Sequence, residues 1–157
     1  VLKHTHPDFV RYSYLDRGSD ERQYCSPGVD LPIVSIMRTK YGKYKQYHTS
    51  LDDLNYISAE GLNGAYEVLQ QCLECIEKNE IYQATTLCEP KMDKRNLRST
   101  LGASVKLEKN FKYIMDVLVY ADGKNDLLAI AEKLNVPMWS LFDNIEILLR
   151  EKLIKKM

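Results

Sequence analysis

The spacing of apolar residues changes character along the chain. Residues 9 to 15, FVRYSYL, are rich in aromatic and β-branched types and predict a strand. A polar stretch follows over residues 16 to 30, punctuated by Gly18, Pro27 and Gly28, and reads as a loop. Residues 31 to 37, LPIVSIM, are continuously apolar and predict a second strand, of the kind covered on both faces in an α/β sheet. From Ser58 onward the period becomes helical. Leu62, Ala65, Tyr66, Leu69, Cys72, Leu73 and Ile76 recur at spacings of three and four and predict one buried stripe. Ser58 suits the N-cap, Glu60 suits the first turn, and Asn79 marks a stop. Gly61 and Gly64 each weaken the early turns by about 1 kcal/mol relative to Ala, or else let the helix approach a sheet closely.

Beyond residue 80 the pattern breaks. EIYQAT is compatible with a strand, but the following stretch has no period and carries basic residues around Pro90. Residues 81–107 therefore read as a linker or crossing segment. Residues 108–157 predict a separate small module. Its first helix ends at Gly123 and presents Phe111, Ile114, Met115, Leu118 and Val119. A second starts at Asn125 and stops near Pro137, and a third, from Met138, turns Trp139, Phe142, Ile145, Leu148 and Leu149 inward. Helix, short turn, helix is the helix-turn-helix layout, and the tail LIKKM can add a short strand. The expected division is an α/β portion over 1–80, the linker, and a mostly helical module of winged-helix type.

Composition narrows the partners. The 157 residues carry 22 basic and 22 acidic groups, so net charge gives no case for nucleic acid, membrane or acidic partners. No apolar run approaches the ~20 residues that span a bilayer. The chain opens at Val1 inside what reads as an ongoing pattern, without a signal-peptide profile, and is expected to be a fragment of a longer protein. Four scattered cysteines favour a reducing, cytoplasmic setting. Cys72 and Cys75 form a C-x-x-C inside the helical pattern, without a second pair at zinc-finger spacing, and read as two thiols on a helix face.

The chemistry centres on KYKQYHTSLDDLNYIS, residues 43 to 58. His48 sits in a polar turn between Tyr47 and Thr49, ahead of a long helix. One reading is a surface histidine. The other is a metal ligand at the mouth of that helix, since neutral imidazole is a common zinc ligand. In α/β sheets the functional crevice lies outside the carboxyl ends of the strands, where a turn after residues 31–37 would deliver His48. Asp52 could cap the next turn or orient the imidazole, and Tyr47 could offer a proton to a developing oxyanion.

The pattern Tyr47-His48-Thr49-x-x-Asp52 before an apolar helix resembles the final metal-ligand motif of zinc aminopeptidases of the co-catalytic, two-metal α/β class. Gly18-Ser19-Asp20, followed by a glycine and Leu31-Pro32 before a strand, is similar to a loop in the same enzymes. The nearer resemblance is to a bacterial group of aminopeptidase-like proteins. It rests on RGSDERQYCSPGVDLPIVSIMRT and YHTSLDDLNYIS, and its members end in a winged-helix module. The resemblance implies the C-terminal part of a three-layer aminopeptidase-like domain, with His48 as last zinc ligand and Tyr47 assisting an oxyanion. It implies a peptide or related amide as substrate, and a link to surface-polysaccharide pathways in many members.

The departures are informative. Where the standard enzymes carry a histidine after Ser-Asp, this chain has Glu21, followed by Arg22 and Gln23. Arg22, with Gln23 beside it, could bind a substrate carboxylate, or Arg22 could brace the loop through Asp20 or Asp30. The other metal ligands and the Glu base of the class precede the Gly-Ser-Asp loop, and ligand roles do not transfer to His4 or His6. The chain alone is therefore not expected to hold two zinc ions or hydrolyse peptides, and the N-terminal remainder of the same protein becomes its expected partner. A homo-oligomer is left open.

Two other function classes stand beside the hydrolase. A DNA-binding regulator would use residues 108–157, but that segment has eight positive and eight negative side chains, with Asp143 and Glu146 on its third helix. It lacks the phosphate-neutralising charge that drives duplex binding, so protein contact suits it better. A non-catalytic aminopeptidase-like scaffold is the third.

Overall fold

The structure is a computed structural model that describes residues 1–95, 97 and 105–157, the side chains of 105–110 excepted. Of the linker expected over 81–107, residues 96 and 98–104 therefore lie outside the described residues. The chain divides into two units, Val1–Cys72 and Leu73–Met157.

The first unit holds little regular structure. Helix α1 is one turn, Leu2–Thr5, and α2 spans Ser19–Tyr24. A 3-10 turn at Tyr14–Asp16 is closed by a capping box, in which the Ser13 hydroxyl and backbone N–H both donate to Asp16 at 2.9 and 3.1 Å. Helix α3, Ala59–Glu77, begins as the sequence predicts, with Ser58 Oγ accepting from the Gly61 N–H at 3.0 Å; the division between the units falls within it.

Both strands expected in this unit are absent as strands. Segment 9–15 runs into the 3-10 turn, and 31–37 pairs with no neighbouring strand. The carbonyls of Leu31 and Ile33 instead accept from the Cys25 thiol at 3.1 and 3.2 Å, and the Leu31 N–H donates to Tyr24. A strand needs a ladder partner, and no described residue provides one here. The α3 stripe likewise faces outward: Leu62, Tyr66, Leu69, Leu73 and Ile76 are all exposed. Its 3.6 period is correct, but the face it marks is uncovered among the described residues.

Among the described residues, the buried apolar side chains all lie in the second unit. Strand β1, Ile81–Ala84, is the centre of an antiparallel three-stranded sheet in the order β2-β1-β3, with β2 at Asp122–Asp126 and β3 at Ile154–Lys156. Helices α4, Val105–Tyr120, α5, Leu127–Leu134, and α6, Phe142–Arg150, pack against one another, the last entered through a 3-10 turn at Met138–Leu141. EIYQAT is thus a strand of this unit's sheet, and the tail strand is present. The stretch Asp122–Asp126, read as the end of one helix and the start of the next, is a strand instead. The β1–β2 register shifts between Ile81 and Gln83, and Gly123 supplies a left-handed residue (φ +80°) at that irregularity.

The core follows the helical period. Ile114, Val117 and Ala121 line the inner side of α4 and its exit, whereas Val119 points outward at 72% exposure. Ile130 and Ala131 from α5, Leu141 from the 3-10 turn, and Phe142, Ile145 and Leu148 from α6 meet Leu153, Ile154 and Tyr82. Helix α5 is capped twice. Asp126 Oδ1 accepts from the Ala129 N–H at 2.7 Å, and Asn79 Oδ1 accepts from the Leu128 N–H at 2.8 Å. Asn79 Nδ2 also donates to Asp126 Oδ2 at 3.1 Å, tying the two caps together. The helix ends on Asn135 in the left-handed region, with Val136 N–H reaching back to Ala131 and Pro137 following.

Two stability outcomes follow. Leu148→Ala empties a fully buried position and is expected to cost ~2–5 kcal/mol, read by chemical denaturation followed at Trp139. Asp126→Ala removes one of the two α5 caps and is expected to cost about 0.5–2 kcal/mol in the same measurement.

Candidate functional site

Of the sequence-nominated residues, the structure brings Tyr47 against Tyr41 and stacks His48 on Tyr47. Gly18 precedes α2, and Ser19 opens the helix with left-handed backbone (φ +53°). This places Glu21 in the first turn, where it is the one buried residue of the unit, at 6% exposure. A buried carboxylate must be hydrogen-bonded. Its own backbone N–H holds the Glu21 carboxyl below its ordinary range, against burial, with help from the Ser35 and Tyr41 hydroxyls and the Arg17 charge. The Tyr41 hydroxyl donates to Glu21 Oε1 at 3.3 Å. A Cβ on Gly18 would lie 3.0 Å from Tyr41 Oη and 3.4 Å from its ring carbons, so glycine leaves the room that Tyr41 occupies. Lys40 Nζ lies 4.1 Å from the centre of the Tyr41 ring.

From Tyr41 the contacts pass to the His48 turn. The Tyr41 and Tyr47 ring centres are 5.9 Å apart, and Tyr44 meets Tyr47 edge-on at 5.8 Å. Tyr47 in turn stacks on the His48 imidazole, at 4.0 Å and 14° between planes. His48 has left-handed backbone, φ +56°, in a region that costs a non-glycine residue about 1–3 kcal/mol. The Thr49 hydroxyl pins the turn, donating to Gln46 and Lys45 carbonyls and accepting from the Leu51 N–H.

Tyr47 is half-buried and His48 is exposed. No hydrogen bond joins Asp52 to the imidazole among the described residues. The Asp52 charge acts on Tyr44, whose phenol is pushed up chiefly by burial and also by Tyr56, Asp52 and Tyr47. Arg22 braces the loop as one of its two readings expected, but through the Arg17 carbonyl, at 3.2 Å, rather than through Asp20 or Asp30. Gln23 is exposed. A depression of about 530 Å³ beside α2 is lined by Tyr14, Arg17, Cys25, Asp30, Leu31 and Ile33 among others, and by none of the nominated residues.

No three His, Cys, Asp or Glu side chains among the described residues are grouped so as to hold a metal ion. A catalytic zinc takes about three protein ligands and a water. These residues do not by themselves fit one, and His48 offers a single donor. Among the described residues no helix is long and apolar enough to cross a membrane. Sequence reasoning marked Glu21 only as a departure and missed Tyr41. The available signal was the spacing of Tyr41, Tyr44 and Tyr47, three apart in a polar turn.

Comparison with known proteins defines the class. Residues 1–79 match a family model described as a domain of unknown function (DUF4910), and residues 80–156 match a winged helix-turn-helix family. The chain belongs to the DUF4910 family and carries a winged helix-turn-helix unit after that domain. A Clostridium acetobutylicum protein, provisionally named a polysaccharide biosynthesis protein with aminopeptidase-like domain, is 35% identical over 156 residues, covering 99% of this chain and 36% of that protein. A crystal structure of a provisionally named peptidase from Clostridium acetobutylicum matches with a TM-score of 0.77 at 34% identity, over 90% of this chain and 31% of that one. The chain spans about a third of the length of these relatives.

The Glu21 contact has a definite pH dependence. Its carboxyl titrates below the ordinary value, so its stabilising contribution is complete above that value and lost as pH falls through the lowered one. Tyrosine near-UV circular dichroism is expected to be flat from about pH 8 to 5 and to fall in acid. Glu21→Gln should diminish that acid step; an unchanged step would assign it to other groups.

Proposed function

We propose that this chain is the C-terminal part of a zinc-dependent aminopeptidase-like hydrolase, in which His48 gives one metal ligand and the rest come from polypeptide outside it. The observation that carries this is the His48 turn. A histidine held in left-handed backbone, with its imidazole stacked on Tyr47, is the kind of local strain that clusters at functional sites. The aminopeptidase-like name of the Clostridium relative supports the class. In this reading Tyr47 offers its phenol to a developing oxyanion, and residues 31–37 form a strand of a three-layer α/β domain. The segment Leu31 to Met37, which pairs with no strand among the described residues, and the outward stripe of α3 are then surfaces for the N-terminal remainder. The substrate is a peptide or a related amide. The relative's polysaccharide name extends that class to an amino-acylated sugar.

The winged-helix unit serves protein contact in this account. The exposed side of α6 carries Asp143 and Glu146, with Arg150 only at its end. Duplex affinity comes mostly from neutralised phosphates, which such a face repels.

In the whole polypeptide that carries this chain, His48→Ala is expected to lower bound zinc sharply, by elemental analysis. Unchanged zinc would remove the metal role. The isolated chain is expected to bind duplex DNA weakly, with binding erased by physiological salt; tight, sequence-selective binding there would favour a regulator.

A further inference from the structure

We propose that Glu21 and Tyr41 are positioning residues that fix the plane of the His48 imidazole through Tyr47. Rings on an exposed turn reorient within nanoseconds unless something packs against them. No apolar side chain of Val1–Cys72 is fully buried, so the half-buried tyrosine rings and the polar contacts that anchor them must do this. The fixed point is the buried Glu21 carboxylate, which holds the Tyr41 hydroxyl at 3.3 Å in the space left by the missing Gly18 side chain. Tyr41 and Tyr44 then bound the Tyr47 ring, which stacks on the imidazole. The purpose rests on reading His48 as a metal ligand. An imidazole already held in plane loses less freedom when its nitrogen is engaged. The geometry itself is independent of that reading.

The test is proton NMR of the 157-residue chain at fixed pH near ~8, where an ordinary imidazole is neutral. Stacking on Tyr47 is expected to move the His48 ring protons upfield, and Tyr47→Ala should abolish that shift. Tyr41→Phe, which keeps the ring and removes only the hydroxyl, should lose most of it, as should Glu21→Ala. Glu21→Gln, which can still accept from Tyr41, should restore it. Methyl signals of Val117 and Leu148 report that the second unit is intact throughout. A wild-type His48 shift in Tyr41→Phe, or in Tyr47→Ala, overturns the proposal. Unchanged zinc in His48→Ala would instead remove the metal role and leave this arrangement standing.

Discussion

The Glu21 carboxylate ties together the two segments of the first unit that carry its candidate site. Glu21 is the one side chain of Val1–Cys72 withdrawn from water, and its hydrogen bond to Tyr41 joins the loop at Gly18 to the turn at His48. Ordinarily a chain of this length is ordered by apolar burial. Here Val10, Leu15, Val29, Val34, Leu51 and Leu54 all remain exposed, so local polar contacts set the geometry. They include the Ser13–Asp16 capping box, the Cys25 thiol on two carbonyls, the Thr49 hydroxyl in its turn and Arg38 on the carbonyls of Glu60 and Gly61.

The second unit is built on the opposite principle. Its core runs from Tyr82 to Ile154 and includes several fully buried aliphatic side chains. Each is worth roughly 1.5–3 kcal/mol relative to exposure. Polar groups there act at the ends of elements, as at the Asn79–Asp126 pair on α5 and the Lys156–Glu80 ion pair at the sheet edge. The exposed ion pair contributes little, whereas the cap satisfies backbone donors that water cannot reach as well.

Legibility in the sequence followed this division. The helices of the winged-helix unit were readable because their 3.6-residue period coincides with a real core, at Ile114, Ile145 and Leu148. The strand Asp122–Asp126 was not, because its residues are turn formers and the sheet selects them through pairing with Ile81 and Gln83. In the first unit the period of α3 was read correctly, whereas the apolar run at 31–37 does not form the expected strand; pattern shows which face wants cover, not whether cover is present. Tyr47 and His48 were nominated through their motif. Glu21 and Tyr41 escaped because burial of a lone glutamate depends on a glycine three residues earlier and a tyrosine twenty residues later, a relation no local period encodes.

The central claim is that the His48 imidazole donates its lone pair to zinc held jointly with residues beyond this chain. The most direct measurement is anomalous diffraction at the zinc edge on crystals of the whole polypeptide. The account predicts a peak at bonding distance, ~2.0–2.1 Å, from a ring nitrogen of His48. Zinc bound elsewhere in the same crystals, with no peak at that nitrogen, would contradict it.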